Sequence, residues 1–142
     1  MATLERAIEI AHDAHKNQLD ISGNPYILHP LKILSYCNNE DEKICAILHD
    51  VVEDNPLWTL ERLQEEGFSE KILKIIDLLT KKKDEKYSDY IDRVKTDTTA
   101  IKIKILDLSD NLDLKRLNTI EPEYLEWLNR YLKYYRILID IL

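Results

Sequence analysis

Glycine and proline are scarce in this chain: two and four residues in 142. That leaves too little turn chemistry for an all-β fold. Cysteine is scarcer than a disulfide framework needs, with only Cys37 and Cys45, and free thiols in a reducing compartment are the favoured reading. No apolar run approaches the roughly 20 residues that cross a bilayer. The opening "MATLERAIEIAHDAH" carries charge throughout, unlike a secretory signal. Positive charge is also short: 20 Lys and Arg stand against 27 Asp and Glu, for a net −7. An acidic surface repels a phosphate backbone, which argues against a nucleic-acid polymer as partner. A small phosphorylated ligand stays open, because a bound cation reverses the local sign. These absences describe a soluble cytoplasmic protein with no membrane segment.

What the chain does have is helical periodicity. Hydrophobic residues make up 44%, enough for one domain with a real core. Thr3 caps a first helix expected to run to about Gln18. "LDISGNPYILHP" reads as a loop, and Pro30 opens a second helix that runs to about Tyr36. After the break at "CNNED", with Asn39 or Asp41 as cap, Ile44, Ile47, Leu48, Val51 and Val52 mark one buried face of a third helix. Asn55-Pro56 ends it.

Thr59 caps a short helix stopped by Gly67, and Ser69 caps the next, which buries Ile72, Ile75, Ile76 and Leu79. "TKKKDEK" is a charged loop, followed by a helix over about 88–95. "IKIKI" alternates like a strand, but Leu108 and Leu112 continue a period of four from Ile101 and Ile105, which favours a helix from Thr98 or Thr99. A last helix over about 122–142 carries a stripe of Leu125, Leu128, Leu132, Tyr135, Ile139 and Leu142. Packing on the domain is the preferred reading of that stripe, and a homodimer seam is the second. The expectation is a single all-α domain over 1–142, with seven or eight helices, a motif-bearing core at about 4–117 and a C-terminal helix.

Within this frame His29, His49, Asp50 and Asp107 stand out. His49 and Asp50 end a helix, where unpaired carbonyls favour a cation. Asp107 lies among Ile105, Leu106 and Leu108, where an isolated carboxylate is expensive. Two imidazoles and two carboxylates suit Mn, Fe, Zn or Co better than Mg or Ca. Adjacent helical residues diverge by about 100°, so His49 and Asp50 reach one ion only if it lies between their directions. Glu53 and Asp54 follow Asp50 by one helical turn, near enough to serve a water there.

"GNPYILHP", "AILHDVVED" and "IKILDLSDN", in this order and spacing, resemble the three motifs of the HD-domain metal-dependent phosphohydrolases. The branch they resemble most is the hydrolase domain of the RelA/SpoT alarmone enzymes and their small stand-alone homologues. The resemblance implies an HD-domain helical bundle that binds one divalent ion, manganese foremost, through His29, His49, Asp50 and Asp107. It implies that Glu53 and Asp54 position or activate water, and that Asn111 contacts substrate. Lys16 and Lys104 fall where the family has residues near the pocket, and Tyr26 either lines that pocket or packs against the helix of His29. The implied substrate is a small phosphorylated nucleotide, guanosine tetraphosphate or pentaphosphate losing its 3′-pyrophosphate. Other HD phosphohydrolase specificities, or a non-catalytic metal-containing binding module, are the alternatives. A chain of this length leaves no room for a synthetase domain, so such an enzyme would only degrade.

Five positions depart from the family. Its basic Arg-Lys pair, which helps hold the guanine nucleotide, is Asp20-Ile21 here. The His before the Asn is Asp110, and the Arg and Thr after it are Asp113 and Leu114. His12 and His15, three apart on the first helix, are read as an exposed residue and a locally hydrogen-bonded one and not as a second metal site.

Overall fold

The computed structural model describes residues 1–142, all of them in helices, turns and loops apart from one isolated β-bridge between Leu19 and Pro25. The helices are α1 (Leu4–Ala14), α2 (Leu28–Ser35), α3 (Glu40–Leu48), α4 (Val51–Asp54) and α5 (Leu60–Glu66). They continue with α6 (Glu70–Leu79), α7 (Tyr87–Val94), α8 (Thr98–Asn111) and α9 (Tyr124–Ile139), with a 3₁₀ turn at Leu114–Arg116. No helix is long and apolar enough to cross a membrane.

The caps explain most boundaries. Thr3, Asn39, Thr59, Ser69 and Asp97 each accept a hydrogen bond from a backbone N–H of the first turn. Gly67 ends α5 at φ 101°, a left-handed conformation that glycine adopts without a Cβ penalty. α1 stops at Ala14, short of the expected Gln18, because Asn17 turns to φ 67° and reverses the chain.

α3 is the central rod. Ile44, Cys45, Ala46, Ile47 and Leu48 are all buried, an apolar surface on every side. Such a helix must be surrounded, and α1, α2, α6 and α8 pack around it. Cys37 and Cys45 are both free thiols. α8 is covered by α2, α3 and α6 on one side and by α9 on the other. That double cover accounts for the alternating "IKIKI": Ile101, Ile103 and Ile105 are buried on different faces of one helix.

Two expectations are corrected. The third helix does not run unbroken to Asn55; it ends at Leu48 and restarts at Val51, with His49-Asp50 in the break. The helix count is therefore nine, or eight if α3 and α4 are taken as the one helix expected. The C-terminal stripe is also rotated. Leu125, Leu132, Ile139 and Leu142 are exposed, whereas Leu138 is buried and Leu128, Tyr131, Tyr134 and Tyr135 are half-buried. Tyr134 reaches the Tyr87 ring at 4.9 Å. Tyr131, Tyr134 and Leu138, outside the expected stripe, share the packing face with Leu128 and Tyr135 from within it.

Ile76 is fully buried where α6 meets the core. Ile76→Ala should lower unfolding free energy by about 2–5 kcal/mol, read as an earlier midpoint in urea. A midpoint equal to wild type would contradict this packing.

Candidate metal centre

Three buried segments converge on one point. α2 contributes His29 from its first turn, the α3–α4 break contributes His49 and Asp50, and the middle of α8 contributes Asp107. One ligand atom from each of the four lies within 4.8 Å of all the others. His29 Nε2 is 2.8 Å from Asp107 Oδ1 and 3.8 Å from Asp50 Oδ2. His49 Nε2 is 3.0 Å from Asp50 Oδ2 and 3.5 Å from Asp107 Oδ1.

The break in the helix makes this possible. Neighbours on a regular helix point about 100° apart. His49 Nδ1 lies 2.6 Å from the Ala46 carbonyl, the oxygen that a continuing helix would offer to the Asp50 N–H. Asp50 takes φ −104° and ψ −2°, and the next helical hydrogen bond runs from Asp54 N to Asp50 O. The two side chains thereby turn to the same place.

Hydrogen bonding fixes the imidazoles. A carbonyl oxygen only accepts, so His49 Nδ1 carries a proton, and Nε2 is the nitrogen left to offer a lone pair when a cation replaces its proton. That Nε2 is buried, has no hydrogen-bond partner, and faces two carboxylates. His29 Nδ1 lies 2.5 Å from Asp110 Oδ2, so its Nε2 is likewise turned to the cluster. A carboxylate or carbonyl holding the far nitrogen is the usual support of a metal-ligating His. Lone pairs facing carboxylates need a cation between them. The donor set fits a divalent ion of the Mn, Fe, Co or Zn type.

The electrostatics show the same demand for positive charge: the surrounding carboxylates hold both imidazoles protonated, with a proton on Nε2 in place of the lone pair that a metal ion would take. Burial opposes charge on His29, but hydrogen bonds to Asp107 and Asp110 outweigh it and push its pKa up to about 9. Burial would also raise the two carboxyls. Instead the charge of His49 holds Asp50 down, and Lys104 with the two histidines holds Asp107 down. Burial and the Asp50 charge push the Tyr26 phenol far up, so it stays protonated and donates to Asp50 Oδ2 at 2.6 Å.

The other expected residues divide. Tyr26, Glu53, Lys104 and Asn111 line a cleft of about 260 Å³ that opens onto Asp50 and Asp107. Lys104 Nζ donates to Asp107 Oδ2 at 2.8 Å, and Asn111 Nδ2 to Asp107 Oδ1 at 3.3 Å. Glu53 is exposed as a whole residue, but its carboxyl sits in the cleft and accepts from Lys81 N at 2.7 Å. Crowding there and the Asp50 charge raise its pKa to about 7. Asp54 turns the other way and accepts from Gln18 Nε2 at 3.0 Å. Lys16 is exposed beyond the end of α1 and does not line this cleft. His12 is exposed, while His15 is buried with Nδ1 2.8 Å from Gln18 Oε1, so the two form no pair.

Sequence reasoning did not assign Asp110 its role. It is a support for His29, joined to Lys32 Nζ at 2.9 Å. The signal was its position: Asp107, Asp110 and Asn111 are one turn apart on the same face of α8. The other departures are structural. Asp20 Oδ1 accepts from the backbone of Ser22 and Asn24, closing the motif loop. Asp113 caps the 3₁₀ turn through Lys115 N and lies 3.4 Å from Lys32.

No family model matches the chain. Curated relatives do match. It is 29% identical over 127 residues to the guanosine-3′,5′-bis(diphosphate) 3′-pyrophosphohydrolase of Haemophilus influenzae, covering 80% of this chain and 18% of the relative. It is 32% identical over 119 residues to the enzyme of that name from Aquifex aeolicus, covering 78% and 17%. It is 30% identical over 135 residues to the bifunctional (p)ppGpp synthase/hydrolase SpoT of Escherichia coli, covering 84% and 19%. The chain thus spans less than a fifth of the length of each. Among solved structures, a metazoan SpoT ortholog described as hydrolysing ppGpp superposes with a TM-score of 0.80 at 23% identity, covering 99% of this chain and 85% of that one. Fold and ligand cluster define an all-α HD-type domain. In sequence this domain is similar to part of the RelA/SpoT-type enzymes.

Removing the His29 support should loosen the ligand. Asp110→Asn is expected to weaken divalent-metal affinity by about 10–100-fold, measured by calorimetry with Mn²⁺, whereas Asp107→Ala should abolish binding. Unchanged affinity in Asp110→Asn would mean that Asp110 does not orient His29.

Proposed function

We propose that this domain is a phosphohydrolase that uses one divalent ion, manganese in the first instance, to cleave a phosphorylated nucleotide. Guanosine tetraphosphate losing its 3′-pyrophosphate is the substrate the relatives' names favour. The observation that carries the reading is the unpartnered His49 Nε2 facing two carboxylates, with a base of raised pKa in the adjoining cleft.

When bound, a divalent ion supplies water of lowered pKa and offsets charge on the phosphoryl group. The chain's own residues do the rest. Glu53, with a pKa near neutrality, is suited to take the proton of the attacking water. Its hydrogen bond to Lys81 N fixes one carboxylate oxygen and leaves the other for that proton. Tyr26 holds Asp50 through its hydroxyl. Lys104 and Lys81 bring positive charge to the cleft where the departing phosphate lies. Asp54, tied to Gln18, steadies the end of α4 and is a positioning residue.

A second reading, another nucleotide substrate, is favoured by Asp20 and Ile21, which leave the motif loop without its basic pair. The exposed Leu125, Leu132 and Ile139, seven residues apart on α9, support pairing of two copies. Sedimentation that finds only a 16.8 kDa species at all concentrations would end that reading.

The test is turnover with Mn²⁺ against a panel of phosphorylated nucleotides, guanosine tetraphosphate included, beside an Asp50→Ala control. Equal rates for wild type and control on every substrate would refute the activity. In an active enzyme Glu53→Gln should lower kcat by about 10²–10⁴-fold. Glu53 acts as a base only when ionised, so the rate should rise with pH and fall away as pH drops through its pKa. A nearby divalent ion draws that pKa below about 7, which puts the acid limb of the profile below pH 7. That limb should vanish in Glu53→Gln.

A further inference from the structure

A second cavity of about 220 Å³ adjoins the cleft. Tyr26, Asn111 and Tyr131 line both, so the two cavities lie side by side as inner and outer halves of one groove-like region, the inner one at the ligand cluster. The outer half is chemically different from the inner. Leu19 and Ile21 of the motif loop form part of its wall, 62% and 51% exposed. α9 contributes Trp127, 37% exposed, with Tyr124 stacked on it at 5.4 Å and an interplanar angle of 19°.

Charge is sparse there. The Asp20 carboxylate is engaged by its own loop through Oδ1. The one cation in the wall is Arg116, whose Nε is buried without a partner. A site built for a cluster of phosphates would carry several cations. A slot with an indole and exposed aliphatic groups suits a flat ring with apolar faces and polar edges.

We propose that Trp127, backed by Tyr124, holds the base of the nucleotide by stacking, so that α9 carries the base recognition which the loop, with Asp20-Ile21, does not supply. Arg116 Nε is then free to donate to the edge of that base or to the ribose. This inference rests on the phosphohydrolase reading for the direction in which the nucleotide lies, phosphate at the ligand cluster and base at α9. Trp127 is a specificity-determining residue in this arrangement and does not touch the reacting atoms.

The two tryptophans allow a direct test. Trp58 is buried, with its Nε1 hydrogen-bonded to Asp13 at 2.9 Å and Arg62 over its ring, and lines neither cavity. Quenching of tryptophan fluorescence is measured with guanosine and adenosine 5′-monophosphates and with ribose 5-phosphate, all with Mn²⁺ present. The nucleotides should quench, ribose 5-phosphate should not, and Trp127→Phe should abolish the change. By calorimetry Trp127→Ala should weaken nucleotide binding about tenfold or more. On any substrate that is turned over it should raise KM by a similar factor and leave kcat within about twofold. Asn129→Ala, exposed on the same helix outside the groove, should match wild type and serve as the control for helix integrity. Unchanged affinity and KM in Trp127→Ala would overturn the proposal even if the enzyme is active. Trp127-dependent quenching by nucleotides without any turnover would uphold base stacking and refute the hydrolase reading alone.

Discussion

A carboxylate buried in the middle of α8 is the constraint around which this domain is organised. Asp107 is 5% exposed and sits in a helix covered on both sides. A lone charge there would cost several kcal/mol. The fold meets that cost with a shell of donors: His29 Nε2 and Lys104 Nζ at 2.8 Å, and Asn111 Nδ2 at 3.3 Å. His29 is itself held by Asp110, and Asp110 by Lys32. The chain of partners runs from the core to the surface, and each link aims the next. The cluster is therefore rigid before any ligand arrives, which is what a metal site requires of its supports.

The same economy of geometry governs the third helix. A regular helix through residues 40–54 would separate His49 from Asp50 by about 100°. Burial anchors the chain on either side of the break, because Ile47, Leu48 and Val51 are all fully buried. The polar break is tolerated because the His49 ring takes over the Ala46 carbonyl that the break frees. One side chain thus donates to the backbone through Nδ1 and turns Nε2 to the carboxylate cluster. Packing, backbone accounting and chemistry agree at this residue.

Much of this was legible in the sequence, for identifiable reasons. Helix starts were readable because Thr3, Asn39, Thr59 and Ser69 are strong local caps whose effect needs no tertiary partner. The cluster was readable in part because His49, Asp50 and Asp107 are polar residues among apolar ones, and the order of the three motifs added His29 to them. What stayed hidden depends on contacts between distant segments. Asp110 looked like a lost family residue until α2 brought His29 and Lys32 against it, 81 and 78 positions away in the chain. Asp20 looked like misplaced charge in a phosphate site, and is instead an internal brace of its loop. The face of α9 was only partly caught because tyrosines can bury a ring while keeping a hydroxyl near water, so a stripe without Tyr131 and Tyr134 leans to the exposed side.

The charge balance then explains where recognition has to come from. The domain carries a net −7, and the cluster itself is built on carboxylates. At physiological salt, fields decay over about 8 Å, so the overall charge neither steers nor strongly repels a small anion already at the cleft mouth. Positive charge must be local. Lys104 is largely committed to Asp107, which leaves Lys81 at the inner cleft and Arg116 in the outer cavity. With so few free cations, electrostatics favours a cation-bearing centre at the inner end of the groove and cannot also provide for multiple phosphates at the outer end. Apolar contact has to contribute there, and that is where the chain carries exposed Leu19, Ile21 and Trp127. The loss of a basic pair and the exposure of an aromatic wall are thus one adjustment seen from two sides of the same cavity.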